Sequence, residues 1–289
     1  MSLLMAFFLS KDTVVTANAA PTSSGNREPL DNLITQWESA AEAEFAYLHL
    51  SQLEVLRRIK LGRLNVNPTA AVAYASHFVI RTFHWEKQAS LDMMLQTQLR
   101  PLNLTKQQKI TARRFAIRVA LPIVRNRIGN DILEYQDRQP APANGPPGVY
   151  QSTPGQLFFL NGLSGGAPPL IADKPEAYRS AIPGPPPVPS PEYNRDLREV
   201  REYGALFGSR RNQEQDQVLN FAQSLDVNTY TRMWAIVAKQ ILPHNISLYD
   251  TAYVFAAMAI VQQDGIASVF DNKWYHFFWR PVTAIRYVI

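Results

Sequence analysis

Near the end of the sequence, residues 271–286 read DNKWYHFFWRPVTAIR. Lys273, Arg280 and Arg286 stand there among Trp274, Tyr275, Phe277, Phe278 and Trp279, with a single acid, Asp271. Positive charge in apolar, aromatic sequence is costly to bury without a partner, so the pattern points to an anion. Lys273 and Arg280 are seven residues apart. Seven helical steps return to nearly the same face, roughly 10.5 Å along the axis. Two long cations on one face can converge on a small oxyanion, the arginine as a planar fork and the lysine as a compact charge. Aromatic surroundings would exclude water and strengthen each charged hydrogen bond. The spacing equally suits two cations reaching from a buried helix to solvent. Pro281 disfavours helical geometry at Arg280, so the guanidinium would project from a helix end or kink. Arg286, six residues further on, falls about 240° around a helix and away from that face.

Other chemistries find little footing. The chain has no cysteine, which excludes thiolate metal sites, disulfides and cysteine nucleophiles. The histidines are His49, His77, His84, His244 and His276, and none belongs to a ligand pair such as HExxH. The first three read as satisfied core or surface groups, and His276 receives no role. Net charge is +5, which suits a solvated basic surface or attraction for an anionic substrate or surface. No run of five or more Lys/Arg occurs, so nucleic acid is not an expected partner.

The elements that must position the cations are helical. Residues 1–28 read as a leader or disordered segment, with a short apolar run and a small-x-small signal at Ala17-Asn18-Ala19. This makes the protein a candidate for secretion or the periplasm, and otherwise cytoplasmic. A helical domain is expected over 29–289. Leu33, Trp37, Ala41, Phe45 and Leu48 recur at helical spacing. A second helix is expected from Thr69 past Met94. A third starts at Thr105, with Gln108 as capping-box partner; Phe115, Val119, Ile123 and Ile128 face inward, and Pro122 kinks or breaks it. Fourteen of the 21 prolines fall within 140–191, so no helix is expected there. Val149, Tyr150, Leu157, Phe158, Phe159 and Leu160 make this stretch an ordered surface excursion rather than a linker. Helices are then expected from Ser190 to Gly204 or Gly208, from Ser209, over Tyr230–Ile241 with Trp234 and Ile236 buried, and from Ser247 towards Asp271. The longest apolar run, AYVFAAMAIV at 252–261, is too short to span a bilayer and reads as a buried helix. The fold class expected is all-α, a helical bundle.

The run Lys273-x6-Arg280-Pro281 resembles the first signature of the vanadium haloperoxidase and type 2 phosphatidic-acid-phosphatase superfamily. FWRPVTAIR, with Asp271 and Lys273 ahead of it, is similar to the bacterial-type vanadium haloperoxidase branch. YNRDLREVREYGALFGSRRNQEQDQVLNFAQ and PPGVYQSTP extend the likeness back to about residue 145. The resemblance implies a helical bundle that holds vanadate, a phosphate-shaped anion. Lys273 and Arg280 would bind vanadate oxygens and draw charge from them, with hydrogen peroxide and halide as substrates. Phe270, where chloride-oxidising fungal members carry tryptophan, would line the halide pocket or simply pack; Trp279 is a second candidate for that lining.

The pattern is incomplete. The family's second motif, Pro-Ser-Gly-His, is absent, as is a third with another arginine and the histidine that ligates vanadium. The expectation is therefore the N-terminal portion of a longer enzyme, inactive alone, which self-associates or needs a missing C-terminal fragment. The alternatives are a phosphatase of the same superfamily acting on phosphate monoesters, and a non-catalytic helical protein binding anions or other proteins.

Overall fold

The computed structural model describes residues 33–34, 36–39, 44–125, 144–153, 164–181, 183–224 and 246–288, with positions 233, 236, 240 and 242 besides. The expected leader, Trp234 and Leu157–Leu160 lie outside them. The α-helices are α1 (Phe45–Gly62), α2 (Pro68–Phe83), α3 (Gln88–Leu99), α4 (Lys106–Arg125), α5 (Pro191–Tyr203), α6 (Gln213–Ser224), α7 (Leu248–His276) and α8 (Pro281–Val288). Among the described residues no strand forms; Val149 and Phe278 make an isolated antiparallel bridge. The fold is all-α, as its sequence predicts.

At the centre lies α2, whose residues from Ala70 to His77 are all buried. Alanines at 70, 71, 73 and 75 let α1 and α4 approach closely, and α7 packs on the other side of α1. Several buried polar groups in this core are paired, as low dielectric favours. Gln52 donates to the carbonyl of Ile34 and to Ser76 Oγ, at 3.0 and 2.9 Å. His49 bridges Gln52 and Glu38 at 2.9 and 3.0 Å. His77 pairs with Asp92 at 2.7 Å, and His84 with Glu44 at 3.0 Å. These three histidines are the satisfied core groups that the sequence suggested.

Local signals set several boundaries. Asn67 caps α2 ahead of Pro68, and Ser190 and Ser247 cap α5 and α7. The Thr105–Gln108 capping box forms in both directions, at 2.9 and 3.2 Å. Gly204 ends α5.

Other expectations need correction. Leu33, Trp37, Phe45 and Leu48 are buried, but on separate elements: a 3-10 turn at Gln36–Ser39 precedes α1, which starts only at Phe45. The helix from Pro68 stops at His84, where the imidazole is drawn to Glu44, and restarts as α3 after a 3-10 turn. Pro122 lies inside α4 without breaking it before Arg125; its missing N–H falls on the exposed edge of the last turn. The helix expected from Ser209 begins at Gln213, because Asn212 and Gln215 form the capping box. Ile236 is 60% exposed rather than buried. By length and composition α7 could cross a membrane, a test that buried core helices also pass; it packs against α1.

The proline-rich excursion is fastened to α7 by two acids. Buried Asp264 accepts from the backbone N–H groups of Leu170, Ile171 and Ala172 at 2.7, 3.1 and 2.9 Å. Asp271 receives Arg179 bidentately at 2.8 and 2.6 Å. Gly165 lies so close that a Cβ there would stand 2.5 Å from the Asp271 Cα. No α-helix forms among the described residues of the excursion, as its proline density predicts.

Candidate functional site

Lys273 lies in the last turn of α7. The helix ends because Phe277 adopts a left-handed conformation, φ 46° and ψ 40°, while its N–H bonds back to the Lys273 carbonyl at 3.2 Å. Such a conformation is disfavoured for a bulky L-residue. It is held by the excursion: Tyr150 N–H donates to Phe277 O at 2.8 Å, and Trp279 N–H donates to Gly148 O at 3.2 Å. Gly148 itself has φ +87°, which suits glycine. Arg280 then takes the capping position of α8. Its carbonyl accepts from Thr283 and Ala284 N–H at 2.9 and 3.1 Å, and Pro281 opens the helix.

The expectation of one continuous helical face for Lys273 and Arg280 is therefore corrected. A helix break separates them, and the chain reversal rather than helical periodicity brings them near each other. The two charges interact: burial first, and the Arg280 charge second, push the Lys273 ammonium below its ordinary pKa. Rings line the space around them. Lys273 Nζ lies 4.5 Å from the Trp274 ring centroid and 5.1 Å from that of Phe270. The Arg280 guanidinium lies 5.7 Å from the Tyr150 ring, which meets Trp274 edge-on at 5.0 Å. Arg280 Nη1 also donates to Thr153 Oγ1 at 3.3 Å.

Neither cation pairs with a carboxylate among the described residues, and Asp271, the acid nearest in sequence, is committed to Arg179. Two half-buried cations, an arginine fork and a threonine hydroxyl thus share an aromatic-walled cradle whose charge is unbalanced. Such an arrangement can hold the oxygens of a small tetrahedral anion.

Phe270 sits beneath the Lys273 ammonium. Trp279 is buried in a different cluster, with Tyr193 and Ala284, where α5 meets α8. Arg286 is exposed on α8 and borders a groove with Ser152 and Thr153. His276 packs against Gly184, its Nε2 buried without a hydrogen-bond partner among the described residues. Sequence reasoning missed Tyr150 and Thr153 as site residues; they lie 120 residues or more before Lys273. Their signal was the aromatic and hydroxyl content of the proline-rich stretch PPGVYQSTP, which resembles the family as a stretch but names no site residue. It also missed the anchoring acid Asp264, since an aspartate in an apolar helix carries no mark of the loop it will cap.

No protein-family model matches the chain, and no curated protein matches it. Among solved structures, the chain is similar to one described as the first bacterial vanadium-dependent iodoperoxidase. The match has a TM-score of 0.64 and 18% identity, and covers 94% of this chain and 74% of that one. The chain shares its fold with that protein.

Proposed function

We propose that this chain is a vanadium haloperoxidase-like protein whose Lys273 and Arg280 hold vanadate, or phosphate in its place, in the service of peroxide-driven halide oxidation. The observation that carries the reading is the cradle: two cations without a carboxylate partner among the described residues, brought together across a helix break and walled by aromatic rings. The fold shared with a vanadium-dependent iodoperoxidase supports vanadate as the anion.

The donor set fits the oxygens of such a group. Lys273 supplies a compact charge and Arg280 a planar fork, while Thr153 orients the fork through Nη1. Both cations draw negative charge from the bound anion, and the rings keep water from competing. Vanadate, when bound, supplies the Lewis acidity that makes peroxide electrophilic towards halide. The cradle residues include no imidazole to ligate vanadium, and no Pro-Ser-Gly-His occurs in the 289 residues. Anion binding without halide turnover is the behaviour expected of this chain.

The test is a phosphate and vanadate titration followed by NMR. Charge-assisted hydrogen bonds worth about 1.5–3 kcal/mol each imply at best roughly millimolar affinity once association costs are met. Arg280→Ala abolishes the binding, and Arg280→Lys weakens it because the fork is lost. Absence of any saturable shift at Lys273 or Arg280 would sink the reading, and robust vanadate-dependent bromide oxidation by the chain alone would overturn the expectation of binding without turnover.

A further inference from the structure

Beside the cradle, residues 151–153 and one face of α8 enclose a groove of about 230 Å³. Val282, Thr283, Arg286 and Tyr287 line it from α8, at the i, i+1, i+4, i+5 spacing of a single helical face. Ser152 and Thr153 form the facing wall. Thr153 also accepts from Arg280 Nη1, so groove and cradle share a wall.

The contents of the groove define its ligand. Among the described residues Arg286 is its one charged lining group, and no acid lines it or pairs with Arg286. Such a guanidinium suits a planar, bidentate anion. Tyr287 is 60% exposed and Val282 39% exposed, which offers a flat apolar body a surface beside that charge. Four hydroxyls, on Ser152, Thr153, Thr283 and Tyr287, can each donate or accept towards a polar ring substituent. At about 230 Å³ the groove falls below the range of drug-sized pockets, which limits its occupant to a small molecule.

We propose that this groove binds a small aromatic carboxylate, with its carboxylate on Arg286 and its ring against Tyr287 and Val282. The inference rests on the oxyanion reading of the cradle for its role, since it names the class of organic molecule presented beside the bound anion. The two sites share Thr153, but the groove's charge, Arg286, is not one of the cradle cations.

The probe is 4-hydroxybenzoate, titrated into the full chain by NMR or calorimetry, with phosphate titrated separately. Saturable 4-hydroxybenzoate binding is expected, with acetate and phenol each at least about tenfold weaker because one lacks the ring and the other the carboxylate. Arg286→Ala and Arg286→Gln should each weaken 4-hydroxybenzoate about tenfold or more while leaving phosphate affinity within about twofold; Arg280→Ala should show the reverse pattern. No 4-hydroxybenzoate binding by the unaltered chain up to about 20 mM overturns the proposal, as does unchanged affinity in both Arg286 variants. Equal losses of both probes in the Arg280 and Arg286 variants overturn it as well, and reveal one diffuse basic surface. If phosphate fails to bind while 4-hydroxybenzoate binds through Arg286, the cradle reading fails and the groove stands.

Discussion

Replacing Asp264 with alanine removes one carboxylate and strands three backbone donors at once. Leu170, Ile171 and Ala172 N–H all point at it, over 2.7 to 3.1 Å. Hydrogen bonds to a charged group contribute about 1.5–3 kcal/mol each, but the three do not add in full. Ile171 is 76% exposed, so water takes over its donor. Leu170 and Ala172 are half-buried and recover less. A net loss of about 2–4 kcal/mol for Asp264→Ala follows, and about 1–2 kcal/mol for Asp264→Asn, whose amide oxygen still accepts. Urea unfolding measures the global part as a shift in midpoint at unchanged slope. Limited proteolysis within 164–181 measures local detachment, where 2 kcal/mol raises the open fraction about thirtyfold. If Asp264→Ala shifts stability by less than about 0.5 kcal/mol and speeds cleavage less than about twofold, Asp264 does not anchor the excursion.

Two further predictions concern the cradle and its support. Because burial and Arg280 lower the folded-state pKa of Lys273, its protonated form is disfavoured by folding. That penalty is fully present below the folded pKa and fades as pH rises to the unfolded value near 10.4. Stability from this group therefore rises with pH across that window, and Lys273→Met removes the rise; parallel curves for both proteins in pH-dependent urea melts would refute this. Over the same window anion affinity falls at a lower pH than for an ordinary lysine, which sulfate, of constant charge there, can report. A Cβ on Gly165 would meet Asp271 backbone atoms at 2.5 and 2.6 Å, whereas one on Gly265 meets nothing within 4 Å. Gly165→Ala should cost about 1–3 kcal/mol and weaken anion binding, while Gly265→Ala, within α7, should stabilise by about 0.5–1 kcal/mol; thermal melts that rank them otherwise contradict the packing described.

What the sequence made legible was local. Ser190, Ser247 and the Thr105–Gln108 pair cap helices through bonds three residues long, and such bonds leave a signature in a short window. The stop at His84 was not legible, because it depends on Glu44, forty residues away. The anion chemistry of Lys273 and Arg280 could be read from residue type. The geometry could not: helical spacing suggested one face, whereas Phe277 ends the helix in a conformation that only the excursion's backbone makes tolerable. The same distance hid Tyr150 and Thr153.

The contact between Thr153 and Arg280 spans 127 residues of chain. Loop closure over such a length is entropically dearer than the local contacts that form helices, and topologies that depend on it fold more slowly. Helical signal in refolding should thus precede oxyanion competence, because α7 and α8 can form before the turn between them is pinned. The cradle is in this sense a clock for the protein: the moment at which anion binding returns marks the closing of the 127-residue segment between Thr153 and Arg280.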